Sequence, residues 1–501
     1  MKKIFKLTPG SLSLNEITEI LDNNYNLELN ENYKEKINKS SEYIKAKIKK
    51  GEVIYGINTG FGKLASCSIS EENLSKLQHN LVLSHAAGVG EYIDNKIVKL
   101  ILLLKINNLS QGFSGVRLSV IEKLLLWFNN DFYPCIPAKG SVGASGDLAP
   151  LAHMSAPLLG YGEVMYKNKK YESIDALKLL GESPIELQAK EGLALLNGTQ
   201  VSTAYALYNL LDLKKLFEIA ITNGAMVVVA ANGNISPFDK LIHQVRKHPE
   251  QLEVANKFYK LLSENLNNEL AEKSKNSKKI QDPYSLRCQP QILGAVLQQL
   301  KHCEKVLSQE LNGVTDNPLV FSDEDKVLSG GNFHAESVAF VADIMAMLIA
   351  EIGNLAERRV AFLVDANHSS LPAFLTKDPG LNSGYMISHV TMSALASENK
   401  ALSMPRSVDT IPTSANQEDH VSMAANAGIR LFTMIENLKE ILSIELMTVT
   451  QALDFHNALT VNSALDRIYQ VVRNEISFAE NDRFLCLDIR KTKELLDKLV
   501  N

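Results

Sequence analysis

The chain has 501 residues, 45% of them hydrophobic and 22% charged, with a formal net charge of -5. That balance gives ample material for a large core and excludes a disordered chain. The small negative charge argues against nucleic acid as a partner, since a nucleic-acid binder would carry a basic face.

Taken in order, Met1-Lys2-Lys3 resembles the start of a signal segment, but Thr8-Pro9-Gly10 interrupts any apolar stretch behind it. The Lys- and Asn-rich run from Asn30 to Lys50 reads as solvated surface. Alternating polarity predicts strands over Gly51 to Ile57 and Gly162 to Tyr171. From Leu293 onward, apolar residues recur at Val296, Leu297, Leu300, Cys303, Val306, Leu307 and Leu311, one face of a long helix. Ser337 to Val360, Ala424 to Leu453 and Leu465 to Val472 continue in that style. The longest apolar run, Val338 to Ile352, contains Asp343 and Glu351 and reads as a core helix; no run is expected to span a bilayer. Glu269 to Lys279 is polar and reads as a surface loop.

The expected fold is mainly α. A small mixed α/β N-terminal domain over residues 1–110, carrying Tyr55 and His85, precedes an α-helical body over residues 111–501 built on a long central bundle. Helices apolar on several sides predict association into an oligomer. The five cysteines are odd in number and scattered, without a C-x-x-C pair, so neither a disulfide framework nor a zinc site is expected. A reducing cytoplasm is the expected home.

Chemistry concentrates in Gly- or Pro-punctuated polar segments between helices: YGINTGFG at Tyr55, SHAAGVGE at Ser84, KGSVGASGDLAP at Lys139, LLNGTQ at Leu195, QDPYSLRCQPQ at Gln281, SGGNFHAE at Ser329 and TSANQEDHVSM at Thr413. The triplet Ala144-Ser145-Gly146 stands out. If the Gly146 nitrogen attacks the Ala144 carbonyl carbon and the Ser145 hydroxyl leaves as water, the chain makes a 4-methylideneimidazole-5-one ring, a strong electrophile. Gly146 tolerates the tight turn because it lacks a Cβ. The plainer reading is that Ser145 caps a helix starting near Asp147. No G-x-x-x-x-G-K-[ST], HExxH or G-x-S-x-G pattern supports a phosphate loop, zinc hydrolase or serine hydrolase.

Together, in this order and spacing, the seven segments resemble the aromatic amino acid lyase family, over about Tyr55 to Met423. The resemblance implies an aspartase/fumarase-like lyase architecture. It also implies a homotetramer with active sites shared between subunits, and autocatalytic cyclisation of Ala144-Ser145-Gly146 with no metal and no diffusible cofactor. Residue by residue, it makes Tyr55 the base that takes the substrate's β-proton, although a free phenol titrates at about 10. Asn197 would contact the electrophile's carbonyl oxygen, and Arg287 would grip the substrate carboxylate. Tyr284 would act in catalysis by contacting the electrophile region, with Gln281 beside it, and Phe333 would form an aromatic wall near the electrophile.

His85 matches the position facing the substrate ring. Glu418 matches the acid that histidine-specific members place near the imidazole, whose N–H a carboxylate can accept. The implied reaction is the non-oxidative deamination of L-histidine to trans-urocanate and ammonia. Tyrosine or phenylalanine deamination, or an aminomutase reaction, is the alternative. One departure is Met404, where many members carry His; Arg406 is also unusual.

Overall fold

The computed structural model describes residues 2–23, 25–64, 66–265, 281–456 and 459–499. The stretch Glu269 to Lys279 expected as a surface loop lies outside them. Helices dominate, as the periodicity predicts. Ala424–Leu453 spans the predicted residues, Glu336–Val364 extends the prediction at both ends, and Gln289–Glu310 carries the stripe that buries Leu293, Val296, Leu300, Cys303 and Leu307.

The chain divides into two compact units. The first comprises Met1–Tyr208, Glu304–Asp343 and Pro405–Ile429; the second comprises Asn209–Cys303, Ile344–Met404 and Arg430–Asn501. The boundary expected near residue 110 falls inside the first unit.

The first unit begins with two parallel strands, Lys3–Leu7 and Tyr25–Leu29, joined through the helix Leu14–Asp22. That helix starts where Ser13 and Glu16 form a reciprocal capping box. The central helix Asn95–Leu109 is buried from Val98 onward apart from Lys99. Behind it the chain makes a three-stranded antiparallel sheet from Tyr133–Pro134, Glu163–Tyr166 and Lys169–Glu172. The last two form the hairpin expected over Gly162 to Tyr171. Its turn residues Lys167 and Asn168 both take positive φ, 49° and 60°, which suits the twist of a tight hairpin.

The strand expected over Gly51 to Ile57 does not form. Asn58 closes the segment into a turn instead: its Oδ1 accepts from the Ile54 amide at 2.7 Å and its Nδ2 donates to the Glu52 carbonyl at 2.8 Å. A side chain that mimics backbone partners outcompetes a strand with no neighbour to pair with.

The second unit holds the greater part of four long helices, Gln200–Ala230, Gln289–Glu310, Glu336–Val364 and Ala424–Leu453. One buried ionic cluster joins one residue from each. Arg359 and Glu445, both fully buried, pair at 2.5 Å; Arg359 Nη1 donates to Gln289 Oε1 at 2.7 Å, and Asn223 Nδ2 donates to Glu445 Oε2 at 3.2 Å. Each charge is compensated, so the cluster fixes helix register without leaving an orphaned ion.

The expectation that no run reaches bilayer-spanning length needs correction. Among the described residues the helix Glu336–Val364 is long and apolar enough, with mean hydropathy 1.8 in its most apolar window, and 67% of that window is buried within the protein. A core helix meets the same length and composition criteria. Replacing Arg359 by Met would leave Glu445 buried and unpaired, at a cost of about 3–5 kcal/mol; denaturant unfolding of the variant against the parent measures it.

Candidate active site

A cavity of about 1030 Å³ opens in the first unit. Tyr55, His85, Ala144, Ser145, Asn197, Phe333 and Glu418 all line it. Six separate polar segments therefore converge on one space. Gln281, Tyr284 and Arg287 do not: they belong to the second unit and stand together there. Tyr284–Arg287 is a single helical turn that puts the Arg287 guanidinium over the Tyr284 ring at 4.6 Å. Arg287 Nε donates to the Asp282 carbonyl at 3.0 Å, and the Gln281 amide oxygen, oriented to suit both groups, accepts from Arg287 at 3.1 Å. Tyr284 is 69% exposed.

Local geometry at residues 144–146 disposes of the helix-cap reading. The helix Leu148–Ser155 begins after Asp147, and Ser145 makes no capping bond. Its hydroxyl instead donates to Glu418 Oε1 at 2.7 Å. Gly146 has φ +74°, and a Cβ there would lie 2.3 Å from the Gly198 carbonyl oxygen. Only glycine fits, and the two loops can touch: the Asp147 amide donates to the Gly198 carbonyl at 2.8 Å. That contact brings Asn197 into place. Its Nδ2 donates to the Ser145 carbonyl oxygen at 2.8 Å, while its Oδ1 is buried with no hydrogen-bond partner.

Glu418 reaches the cavity from a loop tied to the same segment. The Met423 amide donates to the Val142 carbonyl at 2.9 Å, and the Ser422 hydroxyl donates to the Gly143 carbonyl at 3.2 Å. Three successive non-glycine residues, Ser414, Ala415 and Asn416, adopt positive φ to turn the chain. Such conformations cost of order 1–3 kcal/mol each and gather at functional loops. Burial pushes the Glu418 carboxyl up, but hydrogen bonds from Thr413, Ser145 and Ser414 outweigh it and hold the group below the usual carboxylate range. Glu418 is thus a carboxylate, with Thr413 and Ser414 both on Oε2 at 2.7 and 2.8 Å.

His85 ends the helix Leu74–His85. Its Nδ1 lies 2.9 Å from the Leu81 carbonyl oxygen, so Nδ1 carries the proton and Nε2 is an acceptor. Burial lowers its pKa, against the pull of the Leu81 carbonyl and of Glu418, so the ring is neutral near pH 7. The Tyr55 hydroxyl oxygen accepts from the Gly62 amide at 3.2 Å. Met404 and Arg406 do not line the cavity; the Arg406 amide instead donates to Asp343 Oδ2 at 2.9 Å.

With this geometry the comparisons are decisive. A sequence model of the aromatic amino acid lyase family matches residues 12–474. The chain belongs to the aromatic amino acid lyase family. It is 52% identical to a histidine ammonia-lyase of Legionella pneumophila over 499 residues, 99% of this chain and 98% of that one. It is 49% identical to a histidine ammonia-lyase of Vibrio cholerae over 495 residues, covering 99% and 96%. Among solved structures, a histidine ammonia-lyase from Trypanosoma cruzi superposes with TM-score 0.91 at 36% identity, covering 100% of this chain and 95% of that one. A phenylalanine aminomutase from Pantoea agglomerans superposes with TM-score 0.94 at 29% identity, covering 100% and 99%. The mainly α lyase fold expected from the sequence is the fold observed.

Sequence reasoning missed the support behind this cavity. Lys105 is fully buried in the helix Asn95–Leu109. Its Nζ donates to the carbonyls of Asn197 at 2.8 Å and Ala194 at 3.2 Å. Burial drives its pKa down to about 7, against the attraction of Asp316. Asp147, also fully buried, accepts from the Ser202 amide at 2.8 Å, the Ser202 hydroxyl at 2.9 Å and the Ser141 hydroxyl at 2.9 Å.

Replacing Lys105 by Met leaves two buried carbonyls without a donor, worth about 1–3 kcal/mol. The pH dependence has a definite sign. The folded pKa lies below that of an unfolded lysine, about 10.4. Between the two values the unfolded chain binds the extra proton, so this lysine makes stability rise with pH across that window. Denaturant unfolding at about pH 7.5 and about pH 9.5 should show the parent's advantage over Lys105→Met widening at the higher pH.

Proposed function

We propose that this chain is a carbon–nitrogen lyase that converts L-histidine to trans-urocanate and ammonia. The observation that carries the reading is the ionised Glu418 carboxylate sharing one cavity with neutral His85 and with Ser145. An imidazole offers an N–H to such a carboxylate; a phenyl ring offers nothing. The relatives at 49–52% identity, each named histidine ammonia-lyase, support the same substrate.

The residues at 144–146 fit a 4-methylideneimidazole-5-one ring. Cyclisation expels the Ala144 carbonyl oxygen and the Ser145 hydroxyl as water and keeps the Ser145 carbonyl oxygen. That retained oxygen is the one to which Asn197 Nδ2 donates. Gly146 sits where no Cβ fits, and its strained backbone suits the turn that ring closure needs. The ring supplies an electrophilic methylene carbon that makes the substrate's amine a better leaving group.

The chain's own groups do the rest. Glu418 and His85 orient the imidazole. Asn197 holds the loop and offers a buried, unused Oδ1 at the cavity. Tyr55 is the base for the β-proton. As the C–H and C–N bonds break, a C=C bond forms and ammonia leaves. Arg287, with Tyr284 and Gln281, is the group suited to a carboxylate. We assign these three to the site of a neighbouring copy in a homotetramer, in keeping with their exposed cluster in the second unit. The cytoplasm is the compartment this reading expects, and neither nucleic acid nor a membrane is a partner in it.

Ser145→Ala should abolish turnover while leaving the fold intact, and intact mass should show the parent lighter than its sequence by two waters, about 36 daltons. A parent at full sequence mass that still turns over would remove the ring from the account. Separate incubation with L-histidine, L-tyrosine and L-phenylalanine, followed by ultraviolet absorbance, should give urocanate alone. Coumarate or cinnamate as the main product would favour the tyrosine or phenylalanine reading. Glu418→Ala should cut histidine turnover far more than any residual activity on the other two; equal losses would make Glu418 structural.

A further inference from the structure

Two cavity-lining histidines that the proposed reaction does not use, His334 and His420, stand beside a carboxylate, Glu336. One ligand atom from each of His334, Glu336 and His420 lies within 4.8 Å of the others. Among the described residues this is the one such group of three His, Cys, Asp or Glu donors. His334 and His420 both line the cavity that holds Ser145 and Glu418.

The contacts within the group are poor as hydrogen bonds. His420 Nδ1 is 3.5 Å from His334 Nε2, with the rings 5.5 Å apart and tilted by 33°, and His334 Nδ1 is 3.8 Å from Glu336 Oε2. Good bonds of this kind are shorter. Glu336 Oε2 is nevertheless buried and has no hydrogen-bond partner. A buried carboxylate oxygen without a donor is costly, and a cation relieves it as well as a proton donor does. Glu336 also opens the helix Glu336–Val364, whose N-terminal end favours an ionised carboxylate.

Two imidazoles and one carboxylate, with a position left open, form the donor set of zinc sites that bind a further ligand. Calcium and magnesium would instead seek oxygen donors. We propose that His334, Glu336 and His420 bind one divalent transition-metal ion of the zinc type on the cavity wall. Zinc–ligand bonds near 2.0–2.2 Å bring tetrahedral ligand atoms to roughly 3.3 Å apart, so the group must close by up to about 1.5 Å. His420 is exposed and free to make that movement.

The test uses the full-length protein, stripped with a chelator and dialysed against buffered Zn²⁺ alone, with bound metal measured by elemental analysis and affinity by calorimetry. One zinc per chain is expected. His420→Ala and His334→Ala should each weaken binding at least tenfold, and Glu336→Gln should weaken it as well. Acidification to about pH 5 should release the ion, because the imidazoles must be deprotonated to ligate. The exposed thiols Cys67 and Cys486 are the competing ligands; a Cys67→Ser/Cys486→Ser variant should keep the site. Absence of stoichiometric zinc, zinc unaffected by His420→Ala, or zinc lost with the two thiols would each overturn the proposal. His420 is on the surface, so its variant decides the matter even where His334→Ala fails to fold.

Discussion

The loop bearing Ser145 and the loop bearing Asn197 meet with no space for a side chain between them. A Cβ on Gly146 would lie 2.3 Å from the Gly198 oxygen, and one on Gly198 would lie 2.5 Å from Gln200 Oε1. Backbone contact at that distance needs glycine at 146, and the positive φ of +125° at Gly198 favours glycine on the other side. It is what allows the Asn197 amide to reach the Ser145 carbonyl and the Asp147 amide to reach Gly198. Asp147 then carries the constraint onward. It accepts from the Ser202 amide in the first turn of the helix Gln200–Ala230, acting as a cap supplied from a distant segment. One steric requirement thus aligns the Ala144-Ser145-Gly146 triplet, its hydrogen-bond donor and a helix start.

Behind that contact the first unit buries several charges. Lys190 and Asp316 pair at 2.8 Å with both side chains fully buried, and Asp316 Oδ1 accepts from Ser114 at 2.9 Å. Lys105 lies close enough to feel Asp316 and Asp147 and directs its donors to backbone carbonyls of the Asn197 loop. A core of leucines would pack as well at lower desolvation cost. What the charges provide is direction. A buried lysine nitrogen can satisfy its donors in few orientations, so it fixes the carbonyls it touches. The arrangement ties down the loop that presents Asn197 to the cavity.

Much of the helical framework was legible because burial of one face imposes a 3.6-residue period, and the bounds of Ala424–Leu453 follow directly from it. The hairpin after Gly162 was legible for the corresponding reason at period two. Gly51 to Ile57 misleads because its alternation has no partner strand, and the Asn58 side chain, not hydrophobicity, decides its shape. Segment order suggests that Tyr55, His85, Ser145, Asn197, Phe333 and Glu418 converge. It cannot dictate how they meet, because these residues are far apart in sequence and only the tertiary fold joins them. Lys105 could not be found by pattern at all: a lysine within an apolar run looks like a surface break until burial is known. His334 and His420 lie in the quoted segments, yet only their proximity to Glu336 gives them a reading of their own.

On the proposed reading, the bond between Ser145 and Glu418 links formation of the electrophile to choice of substrate. Before cyclisation, Glu418 Oε1 accepts from the Ser145 hydroxyl, while Thr413 and Ser414 both serve Oε2. On the proposed reading that hydroxyl departs as water, so maturation removes the donor on Oε1 and leaves the other two in place. The carboxylate is half-buried, with one oxygen then lacking a proton donor. A substrate imidazole N–H can replace what was lost; a phenyl side chain cannot. Leaving a buried acceptor unpaired costs about 1–3 kcal/mol, and more for a charged group. Each 1.4 kcal/mol is a factor of ten, so a discrimination of roughly tenfold to a hundredfold follows from a hydrogen bond that the chain breaks in making its own electrophile.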